Sequence, residues 1–235
     1  MPRRSRTALR TPAPPGSAHG WRLPSRLAGV ALRAREPETA PPVLSPEILT
    51  GYDGSKPFLI VPDPGSGAQV RAIVSGLAGY RVAVGPAVPV ERAARSLRHA
   101  RQALDLALRG IIATDGVVWC ADHLSTLAIF HDEDLITALI EERLAPLARV
   151  RDRQRAVLSA TLLAWLQLNM NASEVATQLG IHPQTVRSRI RHLVGLFGDQ
   201  LQDRDRRFTL ELALVADQPR RGIGAAFVGQ EAGEK

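Results

Sequence analysis

NASEVATQLGIHPQTVRSRIRHL, residues 171–193, sets two short helical patterns on either side of Gly180, and the second carries Arg187, Arg189 and Arg191 within five residues. Asn171 suits an N-cap, and Glu174 three positions on completes a capping box, so a helix is expected to start there. Val175, Ala176 and Leu179 fall on its inner side. Gly180 supplies the positive φ of a tight exit, Ile181 plugs the corner, and Pro183 suits the first position of the next helix, where its missing N–H costs nothing. The turn, Gly180 to His182, then has the three-residue length of a DNA-type helix-turn-helix.

On a wheel of about 100° per residue, Ile190 and Leu193 lie beside Val186 as a packed edge. Gln184, Ser188 and Arg191 project from the opposite side, with Thr185 and Arg187 on the flanks. This set fits a major groove: glutamine can bond adenine through two contacts, arginine guanine, and serine or threonine either bases or phosphate. Gln184, Thr185, Arg187 and Ser188, near the helix start, are expected to reach bases, and Arg189 and Arg191 to hold phosphates. The competing interpretation is a ligand- or protein-binding module whose helical hairpin makes protein contacts instead of binding DNA.

Working outward, residues 153–171, RQRAVLSATLLAWLQLNMN, place Val157, Thr161, Ala164, Trp165 and Leu168 along one side of a preceding helix. A helix-turn-helix domain is therefore expected over 151–217. Upstream, PFLIVPD (57–63), YRVAVGPAV (80–88) and GVVWCADH (116–123) are β-type runs bounded by proline or glycine. Between the first two, Val70, Ile73, Val74 and Leu77 have helical spacing. Between the last two, Ala93, Leu97, Ala100, Leu104 and Leu108 form one apolar stripe that Gly110 can terminate. The alternation predicts a small α+β sheet domain over 45–125, joined by a connecting helix over 126–150 to the all-α domain, with a disordered tail at 218–235.

The first forty residues carry eight arginines against Glu36 and Glu38, with six prolines, so most of the net charge of +7 belongs to the N-terminus. Residues 1–44 are accordingly expected to form a disordered Arg/Pro-rich tail, either an accessory DNA-binding arm or a segment upstream of the natural translation start. Arginines interrupt each candidate signal sequence, and no run approaches the roughly 20 apolar residues of a membrane span. A lone Cys120 forms no intramolecular disulfide or zinc cluster, which suits a cytoplasmic address.

Enzyme signatures are missing. Gly65-Ser66-Gly67 lacks the lysine and Ser/Thr of a phosphate loop, and no GxSxG, HExxH or paired CxxC occurs. HDED, 131–134, invites a metal site, but neighbouring residues on a helix do not converge on one ion, and acids before an apolar helix satisfy its N-terminal dipole. The expectation is a non-enzymatic protein without metal or cofactor.

Residues 162–214 also carry a longer pattern: a leucine-rich helix, N-x-S-x-x-A-x-x-L-x-I-H, T-V-R-x-R-I, L-x-x-L-F-G, a charged loop and a closing L-x-L-A-L. This pattern resembles the C-terminal helix-turn-helix domain of PucR/CdaR-type bacterial transcriptional regulators. RVAVGPAV followed by SLRHARQALDLAL resembles the GGDEF-like domain that precedes it, here incomplete because tail-like sequence precedes Ser45. The resemblance implies a sequence-specific regulator binding double-stranded DNA as a homodimer, with a small-molecule effector and a sheet domain that is a non-catalytic relative of diguanylate cyclases. No GG[DE]EF string is present. Pro183-Gln184 replaces the family's frequent Arg-Asn before Thr185-Val186-Arg187, so base preference does not transfer.

Overall fold

The computed structural model describes residues 24–39, 42, 44–45, 47–65, 67–114 and 116–220. They form the expected mixed α+β architecture, a sheet flanked by helices and then a helical domain. The sheet, however, is built around a strand that the sequence reading assigned to the tail. β1 (Arg26–Ala34) lies at its centre, antiparallel both to β3 (Lys56–Pro62) and to β4 (Tyr80–Val84). β2 (Leu49–Asp53) extends the β3 edge, and β6 (Val117–Trp119) pairs parallel with β4 at the other. The short β5 (Val88–Pro89) returns to pair with Leu27 and Arg26. The sheet therefore includes a strand that begins at Arg26, ahead of the start near Ser45 expected from the sequence. Of the expected tail, residues 1–23, 40, 41 and 43 lie outside the described residues.

The sequence does not announce β1, because its apolar run is six residues long, Leu27 to Leu32, in a stretch whose average is set by arginine and proline. A continuous run is nonetheless what a strand covered on both faces requires. All six of these residues are buried. Val30 and Leu32 join Leu59, Val61 and Val82 under α1 (Ala68–Ser75), whose Val70 and Val74 close that face. Ala31 points the other way, with Ala83, toward α2 (Ala93–Leu108). β2 and β3 are joined by Gly54-Ser55, and Gly54 has φ 61°, as a two-residue hairpin turn with glycine first requires.

α2 approaches the sheet closely enough to determine the residues beneath it. A Cβ on Gly29 would stand 2.6 Å from the Leu97 backbone nitrogen, and one on Gly85 would stand 2.2 Å from the Ser96 carbonyl oxygen. The buried Ser96 hydroxyl accepts from the Gly29 N–H at 2.9 Å and donates to the Pro86 carbonyl at 2.7 Å. The helix therefore buries its small side, Ser96, Ala100 and Ala103, together with Leu104 and Leu106. Leu108, expected in the apolar stripe, is exposed.

The third expected strand ends at Trp119, and a 3-10 turn, Cys120–His123, leads into α3 (Leu124–Ile129). The single connecting helix expected over 126–150 is instead divided among α3, α4 (Glu133–Arg143) and α5 (Ala145–Ala148). Pro146 lacks the N–H that would continue α4 past Leu144. Asp132 caps α4, accepting from the N–H groups of Asp134 and Leu135, and Glu133 pairs with Arg109. The HDED acids thus work at a helix start, as the dipole argument anticipated.

α6 (Asp152–Gln167), α7 (Ala172–Leu179), α8 (Pro183–Phe197) and α9 (Arg204–Arg220) enclose a second core around Leu162, Val175, Val186, Leu193 and Leu210. α6 is buried almost all round from Leu158 to Trp165, whereas Val157, expected on its inner side, is exposed. α9 reaches both cores, with Leu210, Ala213 and Leu214 in the helical one and Ala216 in the sheet-side one. Residues 218–220 continue α9, and 221–235 lie outside the described residues. Among the described residues no helix is long and apolar enough to cross a membrane.

Candidate nucleic-acid interface

The geometry of α7 and α8 is fixed by local hydrogen bonds. α6 exits through Asn169 and Met170, both at positive φ, with the Met170 N–H bonded to the Trp165 carbonyl at 2.7 Å. This compact reversal delivers the chain to Asn171, whose Oδ1 accepts from the N–H groups of Ser173 at 3.0 Å and Glu174 at 3.3 Å. The Glu174 carboxylate accepts from the Asn171 side-chain amide at 2.6 Å. The capping box is thus closed through the two side chains, because the Asn171 N–H is already bonded to the Leu168 carbonyl.

α7 ends at Gly180, φ 62° and ψ 35°. The Ile181 N–H bonds back to the Ala176 carbonyl and the Gly180 N–H to that of Thr177, the paired bonds of a Schellman motif. Nothing lies within 4 Å of a Cβ built on Gly180, so the backbone angle, not space, demands glycine there. His182 caps α8 by accepting the Gln184 N–H on Nδ1 at 3.2 Å, and Pro183 occupies the first turn.

α8 runs to Phe197, a turn beyond the expected end at 193. Val186, Leu193 and Phe197 are buried and Ile190 is half-buried against the same core. Gln184, Thr185, Arg187, Ser188 and Arg191 are all exposed. Gln184, Arg187 and Arg191 border one open groove with Trp165, Met170 and Ala172, so the end of α6 and the start of α7 flank the exposed face. Arg189 is placed differently from its neighbours: it is half-buried, and its guanidinium donates to the Thr161 hydroxyl on α6 at 3.2 Å. The Thr161 hydroxyl in turn donates to the Val157 carbonyl at 2.8 Å, so Arg189 ties α8 to α6. Helical spacing put Arg189 near the core edge, but the partner lies 28 positions away and left no sign in the local sequence.

Two helices joined by a three-residue turn, the second presenting polar and basic side chains along its exposed side, define a helix-turn-helix unit. Residues 158–216 match the family model of the PucR C-terminal helix-turn-helix domain, and this part of the chain is a domain of that type. At family level the match supports a DNA-binding transcriptional regulator. It begins within α6 and leaves the sheet domain outside it. Among solved structures, a regulator of polyketide synthase expression from Bifidobacterium adolescentis aligns at 16% identity with a TM-score of 0.39, covering 86% of this chain and 83% of that one. No curated protein matches the chain.

Proposed function

We propose that this protein is a sequence-specific, non-enzymatic transcriptional regulator that places the first turns of α8 in the major groove of double-stranded DNA. The observation that carries this reading is the division of α8 into a buried edge and an exposed face made of Gln184, Thr185, Arg187, Ser188 and Arg191. Gln184, Thr185, Arg187 and Ser188, on the first two turns, contact base edges, and Arg191, a turn further on, holds a phosphate. Arg189 is a positioning residue that sets the angle of α8 through Thr161 rather than a phosphate ligand. The protein acts in the cytoplasm as a homodimer on two half-sites, with a small-molecule effector setting its affinity for DNA.

Selection of binding sequences from a random duplex library with the full chain tests this reading. Enrichment of one motif repeated as half-sites about one helical turn apart supports it. Recovery of no sequence beyond the unselected background overturns it in favour of a protein-binding hairpin.

A further inference from the structure

The sheet domain carries a cavity of about 590 Å³ between the end of β1, the β2–β3 hairpin and α2. Four cations line it: Arg33 and Arg35 from the end of β1, Lys56 from the hairpin, and Arg101 from α2. Only two carboxylates do so, Glu36 and Asp105, and Asp105 already faces Arg109 at 3.3 Å. Among the described residues Arg33, Arg35 and Lys56 have no carboxylate partner.

Arg101 is held in place on two sides. Its Nη1 lies 2.8 Å from Asp53, and the guanidinium stands over the Phe58 ring at 5.5 Å. Its Nη2 is buried and has no hydrogen-bond partner. The apolar part of the lining is equally underused. Tyr52 and Leu108 are exposed at 66% and 37%, Tyr52 paired with Pro57 on the hairpin side and Leu108 one turn from Leu104 on α2. A pocket of this size with an apolar wall and a few converging charges has the make-up of a small-molecule site.

We propose that this cavity binds a small organic anion, an oxyanion head group on an apolar, planar body. The head group meets the charge of Arg33, Arg35, Lys56 and Arg101, and the body covers Tyr52 and Leu108. The site stands on the sheet domain and shares no residue with α8, so its failure and that of the DNA reading are separable.

The test is a fluorescence titration of the full chain with anilinonaphthalene sulfonate, followed by displacement with benzoate, phenyl phosphate and inorganic phosphate. The expected result is saturable binding at one site, weakened at least tenfold in Arg33→Ala/Lys56→Ala, two exposed positions whose change leaves the urea midpoint in place. Displacement by benzoate or by phenyl phosphate, whichever is stronger, assigns the head group as carboxylate or phosphate. Unsaturable binding, or equal affinity in wild type and variant, overturns the proposal. Displacement by inorganic phosphate as effective as by both aromatic anions overturns the apolar half of the site.

Discussion

The sheet domain and the helix-turn-helix domain both depend on glycine, for opposite reasons. Under α2, Gly29 and Gly85 occupy places where any Cβ would meet helix backbone at 2.6 Å and 2.2 Å. In the helical domain, Gly180 has open space around it and is required only by its φ of 62°. One domain is constrained by what comes together across the fold, the other by what a few successive residues do. The difference decides where each is vulnerable and how much of each can be read from sequence.

Gly85→Ala breaks the comparison most severely. The Ser96 carbonyl is helix backbone and cannot move aside as a side-chain tip would, so a loss of about 3 kcal/mol or more is expected in urea unfolding. Gly180→Ala, the same chemical change, leaves the packing untouched and costs only the left-handed backbone, about 1.5 kcal/mol. Equal losses at the two positions would show that the distinction between crowded and angular glycines is wrong.

A pH measurement sharpens the contrast from the sheet side. Burial pushes the Cys120 thiol from its usual 9.0 up to about 12. Above about pH 9 the unfolded chain has released this proton while the folded chain keeps it, so the unfolded state binds fewer protons and stability falls as pH rises. Cys120 therefore contributes a loss on the order of 1 to 2 kcal/mol between about pH 8 and pH 10. Cys120→Ala should flatten that slope, whatever it does to the overall level, and an unchanged slope would exclude the thiol as its source.

The smallest effect is expected at the helix-turn-helix entrance. Asn171→Ala removes the acceptor of two backbone N–H groups at the surface, a loss of about 1 kcal/mol by thermal or urea melting. Asn171→Asp, which keeps the acceptor, should recover most of it.

Legibility in the sequence follows the same line. The cap at Asn171, the corner at Gly180, Pro183 at the head of α8 and the buried edge of Val186, Ile190 and Leu193 could all be read, because each answers to neighbours within a few positions. β1 could not be read, since six apolar residues between arginines reveal a central strand only once β3 and β4 pair with them. The hairpin of β2 and β3 did leave a local mark, the Gly54-Ser55 pair of its two-residue turn. Gly29, Gly85 and Ser96 form one contact across 67 positions, and nothing near any of them announces it. The same loss of range explains Arg33 and Arg35, counted as tail charge before the fold brought them to one cavity with Arg101. In the candidate interface the exposed face was legible and the anchoring of Arg189 was not.

The central claim, that the exposed face of α8 reads DNA, is tested most directly by the salt dependence of binding to a selected site. Arg187→Ala/Arg191→Ala should lower specific affinity at least about tenfold and make the slope of log affinity against log salt shallower by about 1 to 2. Both side chains are exposed, so the unfolding midpoint should stay where it is in the wild type. Wild-type affinity and an unchanged salt slope in this folded variant would contradict the account and move the DNA-binding surface off α8.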